Sequence, residues 1–147
     1  MILLSLQTRF ADAIYSGRKR QEFRRRPPRR GIPGLALIYE TKPTGMVTGM
    51  VRIDGVIAVP TGQAANLAFE DDPYRDYYDR YLEGAHEPVA LMLGPPVRFV
   101  RPQPLMPLTG LRLAPQSFCY VDSARPEITA LLHPESCRSS VAESEDE

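Results

Sequence analysis

The densest chemistry in the sequence lies between positions 17 and 30. Gly17-Arg18-Lys19-Arg20-Gln21-Glu22-Phe23-Arg24-Arg25-Arg26 opens a stretch in which eight of the thirteen residues from 18 to 30 are basic and Glu22 alone is acidic. A carboxylate set between guanidiniums stays ionised unless burial desolvates it and drives its pKa up. A lysine and a carboxylate that converge on one reacting atom can act as acid and base without a metal. Lys19, Glu22 and Arg24 are therefore candidates for a ligand-contacting site, against the plainer reading of an ion-pair cluster that braces a strand. Arg25 and Arg26, with Arg29 and Arg30, read either as phosphate contacts that supply affinity without sequence preference or as a solvated loop.

The elements that must position these groups follow from periodicity. Residues 2–6 form a short β-prone run, and Thr8 is placed to cap a helix over 9–16 in which Phe10, Ala13 and Ile14 share a face. Gly17 ends that helix as the residue that must turn left-handed. Residues 19–24 read as a strand on which Arg20, Glu22 and Arg24 face one way while Gln21 and the core anchor Phe23 face the other. Lys19 then falls on the wrong face, so it reaches Glu22 only from the turn after Gly17 or across a bulge.

Further along, 35–41 and 46–59 read as strands, the first apolar enough for burial on both faces, with Gly49 and Gly55 marking bends or bulges in the second. Asp72-Pro73 starts a helix whose Tyr74, Tyr77, Tyr78, Tyr81 and Leu82 make one aromatic face, read as core packing. The spacings Asp71/Arg75 and Asp76/Arg80 suit helix-supporting ion pairs. Residues 89–93 and 97–100 return to strand around Gly94-Pro95-Pro96. Pro102, Pro104 and Pro107 indicate an extended edge segment, and 127–132 a short helix. The core set expected from these elements is Phe10, Ile14, Phe23, Leu37, Val89 and Leu91. Short strands broken irregularly by two or three helices argue for an α+β domain with a small curled or barrel-like sheet rather than a doubly wound parallel one.

Charge divides the chain. The 18 basic and 18 acidic residues cancel, yet residues 1–50 hold ten basic and three acidic side chains while 51–147 hold eight and fifteen. An anionic partner for the basic part follows, and the dominance of arginine suits a nucleic acid or nucleotide. At 147 residues the chain fits one domain, 1–134, followed by an acidic tail, 135–147, with almost nothing to bury. No apolar run is long enough to cross a bilayer, and the first residues lack the pattern of a secretory signal, so the expected location is the cytoplasm. Cys119, Cys137, His86 and His133 show no ligand spacing, and no Gly-rich phosphate loop or Walker lysine follows the first strand; neither a metal nor a cofactor is expected. Cys119 reads as a small buried residue rather than a nucleophile.

The spacing G-x-K-x-x-E-x-R, here Gly17, Lys19, Glu22 and Arg24, directly after a strand and a helix, resembles the signature of the ASCH family, the PUA-like domains named for a transcription coactivator. Tyr39-Glu40-Thr41-Lys42-Pro43 resembles the family's Y-x-[ST]-x-P segment. Ala114-Pro115-Gln116-Ser117-Phe118-Cys119-Tyr120 resembles a P-P-Q-S-[FW]-x-Y segment of its longer bacterial and archaeal members. The resemblance spans roughly 2–121 and implies a PUA-like small β-barrel flanked by helices, with a cleft beside the motif strand that recognises RNA or a modified nucleoside or nucleotide. The residues expected at the ligand are Gly17, Lys19, Glu22, Arg24, Arg25, Arg26, Thr41, Gln116 and Ser117, with a polar turn explaining Gln116 and Ser117 equally well. Some small members are amidohydrolases of acylated cytidine that use the motif lysine, a threonine three residues later and a distant glutamate; Glu22 stands at the threonine position, and ribonuclease action is another theme. The favoured expectation is an RNA- or nucleotide-binding protein, with a regulatory role among the expectations. The alternative is a hydrolase, an acylated-cytidine amidohydrolase or a ribonuclease, with Lys19 and Glu22 as its catalytic residues.

Overall fold

The computed structural model describes residues 1–133 and, as backbone, the strand at 137–139. In chain order the elements are β1 (Ile2–Leu6), α1 (Thr8–Tyr15), β2 (Gln21–Arg24), β3 (Gly34–Glu40), β4 (Met46–Ala58), α2 (Ala64–Leu67), α3 (Arg75–Tyr81), β5 (Val89–Gln103), α4 (Leu105–Thr109), β6 (Phe118–Tyr120), α5 (Pro126–Leu131) and β7 (Cys137–Ser139). The strands form one sheet in the order β2-β5-β4-β3-β1-β6, with β7 paired to β5. Among the described residues only β1 and β3 run parallel; the other pairings are antiparallel. This is the expected α+β architecture with a curled sheet. The expected tail, 135–147, lies outside the described residues apart from the backbone of β7. No helix among the described residues is long and apolar enough to cross a membrane.

The curl follows from what joins the two ends of the sheet. β2 and β6 are its terminal strands, yet the Arg24 guanidinium, at the end of β2, donates to the Ser5 carbonyl on β1 at 3.3 Å and to Ser117 Oγ just before β6 at 3.0 Å. The Arg30 amide, in the loop after β2, donates to the Tyr120 hydroxyl at 2.9 Å. These long-range bonds draw one edge round toward the other.

Because β1 and β3 are apolar at almost every position, they are buried on both faces. Leu4, Leu6, Ile38 and Leu91 pack with Ile14 and Tyr15 of α1. Leu3, Leu37 and Phe99 pack on the opposite face with Leu108 of α4 and with Ile128 and Leu131 of α5. A third cluster joins Phe23 of β2 and Ala90 of β5 to Ala64, Tyr78 and Leu82 around α2 and α3.

Several expectations are corrected. Residues 89–93 and 97–100 are one 15-residue strand through Gly94-Pro95-Pro96, because shifts in the β4 register between Val51 and Ile53 and between Ile53 and Gly55 take up the positions where proline has no N–H to give. The segment after Gln103 is not wholly extended, since 105–109 winds into α4. α1 is flanked by Gln7 with no side-chain cap, and the Thr8 hydroxyl instead meets that of Thr44 at 3.2 Å. Phe10 is only half-buried, whereas Ile14, Phe23, Leu37, Val89 and Leu91 are in the core as expected. On α3, Arg75 donates to the Ala65 carbonyl rather than pairing with Asp71, and Asp79 accepts from the Ala64 and Ala65 amides at the start of α2.

Gly49 of β4 lies against the Tyr15 side chain and the β5 backbone, and a Cβ there would run into the Tyr15 hydroxyl and the Val97 carbonyl. Gly49→Ala is therefore expected to lose roughly 1–3 kcal/mol of stability, as overpacked sites do. Gly55, whose nearest neighbour for a Cβ is Met92 Cγ at 4.0 Å, should accept alanine with little change. Urea denaturation of the two variants checks the contrast.

Candidate functional site

Lys19 lies outside β2, in the loop between α1 and Gln21, so strand alternation does not govern it. The loop is held by the Arg18 and Lys19 amides, both donating to the Ala13 carbonyl at 3.0 Å. Gly17, with a φ of 80°, makes the left-handed turn that starts it. Lys19 Nζ thereby reaches Glu22 Oε1 at 3.0 Å, while Arg24 Nη2 lies 2.6 Å from Glu22 Oε2. Glu22, Lys19 and Arg24 are all buried. Burial alone would raise the Glu22 carboxyl, but the charges of Lys19 and Arg24, and their hydrogen bonds, outweigh it and hold the group below the ordinary carboxylate range.

The network extends outward from this triad. Lys19 Nζ also donates to the Gln21 carbonyl at 2.6 Å and to the Tyr78 hydroxyl at 3.0 Å. With Glu22, that engages the three donors an ammonium has. The Tyr78 hydroxyl in turn donates to Asp72 Oδ2 at 2.8 Å, and Asp72 Oδ1 accepts from the Tyr74 amide at the entry to α3. Burial, then Asp72 and Glu22, push the Tyr78 phenol well above its usual range, so it stays protonated.

A cavity of about 270 Å³ opens beside the triad. Glu22, Phe23 and Arg24 of β2, Thr41, which follows β3, and Gln116 form part of its wall. Ser117 lies behind that wall, on Arg24. Lys19 and Gly17 do not line it, nor do Arg25 and Arg26. Arg25 instead donates to the Tyr81 carbonyl at 2.6 Å and the Glu83 carbonyl at 3.0 Å, tying β2 to the end of α3. Arg26 and Arg29 are exposed and form no hydrogen bond or ion pair with the described residues.

The rest of the wall escaped the sequence reading. Phe10 of α1 and Tyr77, Tyr78 and Tyr81 of α3 face the cavity, as do Ser5 and Gln7. The rings of Phe10 and Tyr77 stack at 5.9 Å and those of Tyr77 and Tyr81 at 5.8 Å. The Arg9 guanidinium lies 4.6 Å from the Phe10 centroid and 5.9 Å from that of Tyr77. The tyrosine stripe is thus core on one side, at Tyr78, and cavity wall on the other. The i, i+4 pair Tyr77 and Tyr81, one position off the buried Tyr78, was the available signal. Among the described residues no group of three or more His, Cys, Asp or Glu side chains is placed to hold a metal ion. Cys119 is half-buried, and burial pushes its thiol up, away from thiolate chemistry.

A family model of the ASCH domain matches residues 4–95. The chain belongs to the ASCH domain family. An ASCH domain-containing ribonuclease of Zymomonas mobilis is similar to it, 31% identical over 128 residues that cover 81% of this chain and 82% of that protein. The crystal structure of an ASCH protein from Zymomonas mobilis superposes with a TM-score of 0.72 at 25% identity, covering 89% of this chain and 94% of the other. A serine-to-alanine mutant of the Zymomonas mobilis protein gives 0.70 at 27% identity, covering 89% and 92%. The curled sheet with its helices is the PUA-like ASCH fold, and in this ASCH domain the Gly17 to Arg24 motif builds the buried triad at the cavity wall.

A carboxyl held below its unfolded value contributes stability that is complete above the unfolded value, near 4.5, and is lost as the pH falls through the folded one. The wild type should therefore lose stability on acidification below about pH 4.5. Lys19→Met should cost about 3–5 kcal/mol at neutral pH, because it leaves a buried charge short of a partner. Chemical denaturation at a series of pH values measures both.

Proposed function

We propose that this ASCH domain binds single-stranded RNA and takes one unstacked base into the cavity. The observation that carries this reading is the pairing of an aromatic wall, Phe10, Tyr77 and Tyr81, with an ionised, buried carboxylate at Glu22. A phosphate would be repelled by that carboxylate, whereas a base offers a π-face to the rings and N–H donors to Glu22. A base held in a duplex cannot enter such a recess, which favours a single strand. The phosphates belong outside, on the basic loop, where Arg26 and Arg29 are exposed and uncommitted to the described residues. Thr41 and Gln116 are proposed as polar contacts on the wall. Ser117 and Lys19 act by holding Arg24 and Glu22, and Gly17 by shaping the loop that brings Lys19 in. RNA or a modified nucleoside or nucleotide is the ligand class, with no metal or cofactor invoked. In domain terms the binding unit is 1–134, ahead of an acidic tail at 135–147, acting in the cytoplasm.

A second reading, cleavage of RNA, is favoured by the name of the Zymomonas mobilis relative, an ASCH domain-containing ribonuclease. In it Glu22 and Arg24 face the ligand. Lys19, with its donors engaged and no place on the cavity wall, is the positioning partner rather than the proton carrier. The same geometry weighs against a lysine-based amidohydrolase.

Fluorescence anisotropy with a labelled single-stranded RNA should show affinity that falls as salt rises. Replacing Arg26 and Arg29 by alanine should flatten the log-log slope by about 0.7 per lost phosphate contact. Tyr81→Ala should weaken binding by about 1–3 kcal/mol without changing the slope. An unchanged slope would remove the loop from the interface. Incubation of the same RNA with the wild type, followed on a denaturing gel, separates cleavage from binding alone.

A further inference from the structure

The hydrogen-bonding capacity left over at the cavity wall specifies the base. Glu22 and Arg24 line the cavity side by side and are both more than nine-tenths buried. A carboxylate accepts at about four lone-pair sites and never donates. Here Oε1 is engaged by Lys19 and Oε2 by Arg24, so each oxygen keeps a site. A guanidinium has five N–H groups. In Arg24, Nη2 serves Glu22 and the Ser5 carbonyl, and Nη1 gives one N–H to Ser117, which leaves a second N–H on Nη1 and the N–H of Nε, buried without a partner among the described residues.

The unspent set is therefore two adjacent acceptors on one carboxylate and, beside them, the donors that Arg24 keeps on Nη1 and Nε. The complement is an edge that carries two adjacent donors next to an acceptor. Among the four RNA bases, guanine has that edge: N2–H and N1–H lie parallel and O6 follows. Adenine and cytosine place a ring acceptor next to their amino group, and it would face a carboxylate oxygen. Uracil has a single N–H between two carbonyls, one of which would meet the same oxygen.

We propose that the cavity is a guanine-reading site, with Glu22 accepting from N1–H and N2–H and Arg24 donating to O6. This rests on the proposed binding of single-stranded RNA. Specificity of this kind is strong because a wrong base leaves buried polar groups facing the wrong partner.

The test uses wild-type protein and 5′-labelled pentamers of uridine whose central base is guanine, hypoxanthine, adenine, cytosine or uracil, read by anisotropy. The guanine pentamer should bind most tightly. The hypoxanthine pentamer, which lacks only the N2 amino group, should bind about tenfold more weakly, as expected for one lost hydrogen bond to a charged group. Glu22→Gln, checked for folding by circular dichroism, should abolish the preference for guanine, since it exchanges one acceptor for a donor. The wild-type comparison stands even if that variant does not fold. Equal affinity for guanine and hypoxanthine, or tighter binding of another base, would overturn the guanine assignment while leaving RNA binding intact. Failure of every pentamer and of longer single-stranded RNA to bind would remove the RNA reading and this inference together.

Discussion

A carboxylate that must remain ionised inside the protein governs the arrangement of everything around it. Glu22 is 6% exposed, and an unpaired charge there would cost several kcal/mol. Two cations answer it from different parts of the chain, and each is itself held by a further element. Lys19 comes from the loop after α1 and is fixed by Tyr78 of α3. Arg24 comes from the end of β2 and is fixed by Ser5 of β1 and by Ser117. The ion triad therefore joins three regions: the loop behind α1, the tyrosine helix, and the seam where the sheet curls back on itself.

The cavity is a consequence of that seam. Arg24 closes the gap between β2 and β1 on one side, while α3 is anchored through Tyr78 and Asp72 on the other. Phe10, Tyr77 and Tyr81 are left as a wall instead of being absorbed into the core. The triad supplies polarity at one side of the recess and the rings supply apolar surface at the other, the combination expected of a site that orients a flat, polar-edged ligand. A buried ion network is weak evidence of stability, since apolar residues of similar volume often serve as well. Its value here lies in fixing Glu22 and Arg24 in one geometry at the cavity wall.

Much of the fold was legible from local signals. The apolar runs around Leu3 and Leu37, the left-handed turn at Gly17, and the bulges at Gly49 and Gly55 follow from residue type and period, which act over a few neighbours. The long β5 strand was misread because prolines at 95 and 96 argue locally for a break, while the register shift that accommodates them arises only in the pairing with β4. The ion pairs expected from Asp71/Arg75 failed for a similar reason: Arg75 finds the Ala65 carbonyl, a partner that spacing along α3 cannot reveal.

By itself the sequence determined that Glu22 would sit among cations, that Phe23 would be buried beside it, and that the motif from Gly17 to Arg24 would follow the first helix. Those are properties of charge, hydrophobicity and spacing within a dozen residues. Tertiary structure alone decided that Lys19 faces the network rather than the cavity and that Phe10 and Tyr77 face the cavity rather than the core. It also decided that Arg25 braces α3 while Arg26 and Arg29 stay free of the described residues. Each of these depends on which distant atoms arrive first: the Tyr78 hydroxyl 59 residues from Lys19, the Ser117 hydroxyl 93 residues from Arg24, the Tyr81 carbonyl 56 residues from Arg25. A side chain with several donors commits to the partners that folding brings within 3 Å or so, and no pattern along the chain records which ones those are.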